Sequence, residues 1–416
     1  GFHIFEFNNF IFQKLNFELF LSRRLSRSNL NRNYYSGPIT NICISAISIS
    51  IIIIIITIGC TQGLELAIKK TMIDAESEIQ ILSINQKSHG ESIVLKPTIK
   101  ESILNIKGVK HIHSIVSKPG IITIDNHLEG VILKGIDSTY KKEVIHNSIV
   151  DGKYMKKDNH ILISQQQAQK LNLKTGDNCL LYFVSINNNI QKRKFIISGI
   201  YNMKNEKFNE FYIFAQNEYL KKINNWEKKQ FSYFEVELNK LMDSEKIVNQ
   251  INKQLNYDLL ATSITNRFPG IFSWINLFKK NMILIIVIMC IICLINMTSA
   301  LLILVLERLQ MIGILKSYGC SNYSILKIFA YSSRKIATKG ILVGNIIGFI
   351  LCLIQQKTHI ISLNPTSYFV DYLPIYLNLE FIVFINIIIF TVIQISILIP
   401  YYIITKLSPS NILKIK

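Results

Sequence analysis

Acidic residues are scarce in this chain: 27 Asp+Glu stand against 46 Lys+Arg over 416 residues, a formal net charge of +19. That imbalance invites a nucleic-acid partner, a reading that depends on where the charge lies. Cysteine is sparse too, at seven, so a disulfide framework does not hold the fold. Glycine, at 18, is far too infrequent for a collagen-like repeat. No internal repeat with a period of about 20–50 residues is visible. Also missing are the phosphate loop G-x-x-x-x-G-K-[ST], the nucleophile motif G-x-S-x-G, the zinc motif H-E-x-x-H and the EF-hand loop. The chain therefore has no phosphate loop of its own with which to hydrolyse ATP. Apolar residues, by contrast, are plentiful: 49% of the chain is hydrophobic and the mean hydropathy is +0.30, which excludes disorder. Such a hydropathy beside 18% charged residues arises when the two kinds of residue occupy different segments.

The apolar residues fall into four stretches, Ile39–Gly59, Met282–Leu306, Ile341–Ile354 and Phe381–Ile404. A helix needs roughly 20 predominantly apolar residues to cross about 30 Å of hydrocarbon, which the first, second and fourth meet. The third spans only if its helix starts upstream near Phe329, which brings Arg334, Lys335 and Lys339 to the interface, where long cations snorkel. The first stretch begins too far into the chain and is too long for a cleaved signal. The chain starts at Gly1 rather than Met, and whether Gly1 is the native N-terminus is left open. The isoleucine run Ile51–Ile56 is discounted as a functional signal, because isoleucine, lysine and asparagine abound throughout, as an AT-rich genome would produce.

Lys and Arg of the short segments set the orientation. Lys14, Arg23, Arg24, Arg27, Arg32, Arg308, Lys316, Lys327, Lys406, Lys414 and Lys416 stand on one side and Lys357 on the other. Both termini and the loop 307–328 are therefore expected in the cytoplasm. The segment 60–272 carries 29 Lys+Arg and 22 Asp+Glu, so +12 of the charge lies outside it, largely beside the membrane, where it faces anionic lipid. The charge reflects topology, and nucleic acid is not an expected partner. The expected organisation is a cytoplasmic amphipathic helix over 1–38, transmembrane helix 1 over 39–59 and an extracytoplasmic α+β domain over 60–272. Transmembrane helix 2 with its extracytoplasmic extension follows over 273–306, then a cytoplasmic elbow over 307–328 and transmembrane helix 3 over 329–354. An extracytoplasmic loop at 355–379, transmembrane helix 4 at 380–404 and a cytoplasmic tail at 405–416 complete the chain.

Within 60–272, strand-like runs are Glu78–Ile84, Gly120–Asp125, Gly130–Lys134, Ile161–Ser164, Cys179–Ser185, Phe195–Tyr201, Phe211–Ala215 and Ser232–Leu238. Helical patterns fit Thr98–Lys107, closed at Gly108, and Gln165–Leu171, Gln216–Trp226 and Ser244–Leu255. Ile186–Lys194 reads as a basic hairpin tip, and Pro269-Gly270 as the return toward the membrane. His111 and His113 would share a strand face, too few ligands for a metal site. Cys290-x-x-Cys293 falls inside a membrane stretch, where two sulfurs one turn apart read as packing; a bridge between Cys60 and Cys179 is left open.

The most informative stretch is Glu307-Arg308-Leu309-Gln310-Met311-Ile312-Gly313-Ile314-Leu315-Lys316-Ser317-Tyr318-Gly319-Cys320-Ser321. A charged pair ends the second span, and Met311, Ile312, Ile314 and Leu315 give a short helix an apolar face. Gly319 suits a left-handed C-cap, and Ser321 can N-cap a helix with Tyr323, Ile325, Leu326 and Phe329 on its apolar side. Such an elbow either docks a partner or packs on the membrane interface.

This stretch resembles the E-R-x-x-x-I-G-I-L-K-[ST]-x-G-[CA]-S signature of the FtsX/MacB-type ABC permease superfamily, and the chain is most similar to its lipoprotein-releasing (LolC/LolE-type) branch. Phe17–Leu25 is similar to the N-terminal helix of that branch, and Gln62-Gly63-Leu64-Glu65 stands where it has Asn-Gly-Phe-Glu. Leu171–Asp177 followed by Ile197-Ser198-Gly199-Ile200-Tyr201 resembles its MacB-like periplasmic domain. Asn296-Met297 with Ser299 resembles its polar spot in span two, and Ser408–Leu413 its tail. Arg334 and Lys335 depart from it, standing where the family has apolar residues.

The resemblance implies a non-catalytic permease subunit of the bacterial inner membrane, paired with a second copy or paralogue. A separate ABC ATPase subunit would bind ATP and Mg, and this chain would bind no cofactor. Glu307, Arg308, Gly313, Ile314, Lys316 and Gly319 would form the ATPase-coupling helix. ATP hydrolysis would then release lipoproteins toward a soluble periplasmic carrier. Lifting acyl chains out of lipid costs ~0.8 kcal/mol per CH₂, which calls for an apolar path. Ile271, Phe272, Trp274, Leu277 and Phe278 are placed to line its mouth, or else form an interfacial belt. The alternatives are an FtsX-like mechanotransmitter controlling cell-wall hydrolases and a MacB-like efflux permease.

Overall fold

The computed structural model describes residues 36–84, 92–124, 127–137, 139–184, 190–203, 205–239 and 244–406. The N-terminal helix at Phe17–Leu25, the tail motif Ser408–Leu413 and residues 186–189 of the hairpin tip lie outside them. In chain order the elements begin with α1 (Ser36–Ala75), β1 (Ile79–Ser83), α2 (Pro97–Leu104), β2 (Val109–Ile124), β3 (His127–Ile136), α3 (Lys142–Ser148), β4 (Ile149–Gly152) and β5 (His160–Ser164). Next come α4 (Gln165–Lys170), β6 (Asn178–Val184), β7 (Ile190–Tyr201), α5 (Glu206–Phe211), β8 (Tyr212–Gln216), α6 (Asn217–Asn224), β9 (Tyr233–Leu238), α7 (Ser244–Asn252) and β10 (Leu259–Ser263). The chain closes with α8 (Ile264–Arg267), α9 (Pro269–Glu307), α10 (Leu309–Ser317), α11 (Asn322–Thr358), α12 (Pro365–Tyr368), α13 (Leu379–Ile395) and α14 (Leu398–Lys406). They form two compact units, one of Gly1–Leu64, Asn276–Ile360 and Pro374–Lys416, the other of Glu65–Ile275 and Ile361–Leu373.

Among the described residues four helices, α1, α9, α11 and α13 with α14, are long and apolar enough to cross a membrane. α1, α9 and α11 contain 40, 39 and 37 residues. At ~1.5 Å per residue each is about 55–60 Å long, nearly twice a hydrocarbon core of about 30 Å. α1 accordingly continues beyond Gly59, through Gln62-Gly63-Leu64, to Ala75. α11 starts at Asn322, where the Ser321 hydroxyl accepts from the Ser324 amide, and Arg334, Lys335 and Lys339 lie exposed along it. The fourth span is interrupted at Ser396–Ile397, because Pro400 has no N–H to give the carbonyl four residues earlier.

α1 is the hub of these helices. Half of its most apolar window is buried, against 28%, 33% and 33% for the other three spans. Ile47, Ile51, Ile54, Ile55 and Ile58 are all buried, so the isoleucine run that composition had discounted supplies the centre of the core. Gly340, Gly344 and Gly348 of α11 face Ile47, Ile51 and Ile55 at a matched spacing of four. A Cβ added at these glycines would stand 2.7, 2.7 and 3.0 Å from the opposing isoleucine. Small residues every fourth position let two membrane helices approach closely, and the Ser48 hydroxyl donates to the Gly340 carbonyl across the contact at 3.0 Å. Asn345 and Asn386 exchange amide hydrogen bonds at 3.2 and 3.0 Å between α11 and α13.

The second unit is built on a mixed sheet in the order β10-β1-β9-β2-β3-β8-β5-β7-β4, with β6 beside β2 and β7. β3 with β8 and β5 with β7 are parallel, and the other ladders are antiparallel. β2 has 16 residues and threads two cores. Its first half pairs β9 over a core with Ile79, Ile103, Val236 and Ile251, and its second half pairs β3 and β6 over one with Ile122, Leu133, Phe183 and Phe195. Of the run expected at Gly120–Asp125, the described part through Ile124 is thus the end of a long strand, not a separate one. The helix expected over Thr98–Lys107 stops at Leu104, capped by Asn105; Gly108, at φ +109, opens β2 instead. Among the described residues all seven cysteines are free thiols.

Candidate functional site

α9 ends at Glu307, and Arg308, at φ −107° and ψ 17°, turns the chain into α10. Both ends of the turn beyond α10 are satisfied by the sequence itself. Gly319 takes φ +82°, its amide donates to the Lys316 carbonyl at 3.0 Å, and the Cys320 amide donates to Leu315 at 2.9 Å. This pair of bonds closes the helix in the Schellman manner, and Ser321 then caps α11. Ile312 and Gly313 face inward, while Ile314 is 49% and Tyr318 87% exposed. One turn apart, these two present an apolar patch on the outer side of a helix fixed at both ends.

The other coupling candidates take different places. The Lys316 ammonium donates to the Ile404 carbonyl at 2.7 Å, tying α10 to the last turn of α14, and burial pushes its pKa down. Both Glu307 carboxylate oxygens are buried and find no hydrogen-bond partner among the described residues, an expensive state for an acceptor-only group. Of the six residues that sequence reading assigned to the coupling helix, Ile314 and Gly319 are exposed, Arg308 makes the turn, Gly313 and the Glu307 carboxylate are buried, and half-buried Lys316 bonds α14. Sequence reading missed Tyr318, whose spacing of four from Ile314 was the available signal.

Of the five residues named for an apolar mouth, Ile271, Phe272 and Trp274 belong to the unit with the sheet and Leu277 and Phe278 to the unit of spans. The Trp274 ring packs at 5.8 Å on Tyr368 of α12, and Leu277 is 56% exposed. His113 is buried on β2, with Nε2 3.4 Å from a Glu237 carboxylate oxygen and its ring edge-on to Tyr140. Among the described residues no three His, Cys, Asp or Glu side chains gather as metal ligands.

Comparison with known proteins covers most of the chain. A family model described as the MacB-like periplasmic core domain matches residues 40–254, and one described as the FtsX-like permease C-terminal matches 283–409. The lipoprotein-releasing system transmembrane protein LolC of Buchnera aphidicola subsp. Acyrthosiphon pisum is 26% identical over 394 residues, 90% of this chain and 93% of that protein. Its counterpart from the Schizaphis graminum subspecies is 25% identical over 379 residues, 89% of this chain and 92% of that one. Among solved structures, the periplasmic region of MacB from Actinobacillus actinomycetemcomitans is 13% identical, with a TM-score of 0.33 over 46% of this chain and 91% of that one.

Proposed function

The chain belongs to the FtsX/MacB family of ABC-transporter permeases, and from that premise we propose that it is the permease subunit of a lipoprotein-releasing transporter, driven by a separate ATPase seated on α10. The observation that carries the coupling is the outward Ile314–Tyr318 patch on a helix held at both ends. A fixed helix passes on a push, where a loose loop would absorb it. The ATPase holds ATP and Mg, and this chain, which has no phosphate loop, supplies the surface that converts ATPase closure into movement of α9. Arg308, Gly313, Lys316 and Gly319 set the angle of α10, while Ile314 makes contact.

The cargo is supported by the names of the relatives that match nine-tenths of the chain. In this reading the protein sits in the bacterial inner membrane beside a second copy or paralogue, with its termini in the cytoplasm. The sheet domain then lies in the periplasm, where a soluble carrier receives the lipoprotein. Leu277 and Phe278, at the start of the unit of spans, stand where the acyl chains would enter.

The coupling is tested with Ile314→Glu plus Tyr318→Ala, two exposed positions whose loss leaves the fold alone. ATPase capture by the tagged full chain should weaken at least about tenfold, as when an aromatic anchor worth ~2 kcal/mol is removed. Unchanged capture would mean α10 is not the seat. Depletion of the chain should leave mature lipoproteins in the inner membrane. Normal lipoprotein sorting with failed separation of daughter cells would favour the signalling alternative.

A further inference from the structure

Away from α10, the sheet domain contains a cluster of buried charge that packing does not require. The Lys134 and Glu235 side chains are both 0% exposed and pair at 2.7 Å. Glu235 also accepts from the Tyr140 hydroxyl at 2.6 Å, the Ser77 hydroxyl at 3.1 Å and the Gln80 amide at 3.4 Å. A buried ion pair is weak evidence of stability, since apolar residues of the same size often serve as well or better. What distinguishes this one is what else its cations hold.

Lys134, on β3, also donates to the carbonyl of Ala75, the last residue of α1, at 3.3 Å. Lys141 donates to the Ile73 carbonyl and, at 2.8 Å, to that of Glu76. Its backbone sits at φ +35°, a left-handed conformation that costs a lysine energy and that strained functional positions tend to show. Arg267, in α8 and two residues before α9 begins, pairs with the Glu76 carboxylate and donates to the Ser77 carbonyl at 2.5 Å. The Tyr212 hydroxyl reaches Glu76 as well, at 3.3 Å. Carbonyls at the C-terminal end of a helix carry partial negative charge and attract cations. Here three cations, from β3, the residue before α3, and α8, hold the last turn of α1 and the two residues that follow it. A slip of one residue moves the Ile73 and Ala75 carbonyls ~1.5 Å along the axis and about 100° around it, which breaks the bonds from Lys141 and Lys134 together.

We propose that this cluster is the joint that ties the outgoing end of α1 and the incoming end of α9 to the centre of the sheet, with Lys134, Lys141 and Arg267 as positioning residues of the transport cycle. It rests on the ATP-coupled reading above. Movement of either stem reaches β3 and β9 through side chains that do not let the helix end turn or slide.

The test uses the full chain, captured with its ATPase and reconstituted in lipid nanodiscs, in three forms: parent, Lys134→Met with Glu235→Leu, and Lys141→Met. Amide hydrogen exchange is followed with and without ATP plus vanadate. In both variants exchange over 70–77 should rise about tenfold while β5 and β7 stay protected. The ATP-dependent change in sheet exchange seen in the parent should be lost, with ATP hydrolysis kept within about twofold. A variant that retains the parental nucleotide response, or that loses protection across the whole sheet, overturns the joint. A parent that captures its ATPase but shows no nucleotide response in the sheet also overturns it. A parent that captures no ATPase overturns the underlying reading instead.

Discussion

Gly63 has very little room for a side chain. A Cβ there would stand 2.2 Å from the Pro374 carbonyl oxygen, where the segment leading into the fourth span crosses α1, and one turn back the Gly59 carbonyl accepts from the Tyr376 amide at 3.0 Å. Gly63→Ala should therefore destabilise the solubilised chain by about 1–3 kcal/mol, read as a lower melting temperature. Gly270→Ala, with open space around it, should leave that temperature unchanged or raise it. Glu235 makes a second prediction at this scale. Burial alone would raise its carboxyl, but Lys134 and Lys141 beside it outweigh that and hold it at about 2 instead of 4.5. Because the folded value is the lower one, the unfolded chain takes up the proton first as pH falls. Its stabilisation is complete above 4.5 and is lost progressively toward about 2. Thermal melts between these values should show that slope, and Glu235→Gln should flatten it. The elbow's caps, Gly319 and Ser321, were legible because capping is local chemistry. The Lys316–Ile404 bond spans 88 residues, and no local pattern announces it.

At the scale of elements, the pairing of α1 with α11 depends on three glycines meeting three isoleucines. Gly344→Leu would drive its side chain into Ile51 and the Ser48 carbonyl, forcing two long helices apart. A loss of about 3 kcal/mol or more follows, exceeding that of Gly63→Ala in the same melting assay. Each half of this interface is present in the sequence as a spacing of four, yet neither was read there: composition bias obscured the isoleucines, and the glycines have no apolar side chain to register in a hydropathy pattern. Elements that escaped the sequence reading share a physical cause. β4 has the pattern Ile149-Val150-Asp151-Gly152, with no apolar face to signal a strand, and exists because it pairs β7; β10 is an outer strand defined by β1. α3, α5, α8 and α12 have seven, six, four and four residues, too short for a helical period to register.

For the whole molecule, the division into a unit of spans and an α+β domain was legible because hydropathy separates them so sharply. The orientation rests on the count of basic residues, and α9 adds Lys279 and Lys280 at its domain-side end, which that count had left out. The excess on the termini and elbow still dominates. In intact cells stripped of their outer membrane, Tyr257→Cys, fully exposed on the sheet domain, should therefore react with a membrane-impermeant maleimide. Tyr318→Cys should react only after permeabilisation. The reverse pattern would invert the topology and remove α10 from the ATPase's reach.

The glycine–isoleucine contact also orders the birth of the protein. Ser48 and the Gly340 carbonyl that it meets are 292 residues apart in the chain. At ~5–20 residues per second of synthesis, α1 waits roughly 15 to 60 s for the helix that completes its packing. Throughout that time the Ser48 hydroxyl has only its own helix, at the Ile44 carbonyl, to satisfy it. The sheet domain emerges in the interval, so the nascent chain carries a water-exposed domain while its central membrane helix still lacks its partner.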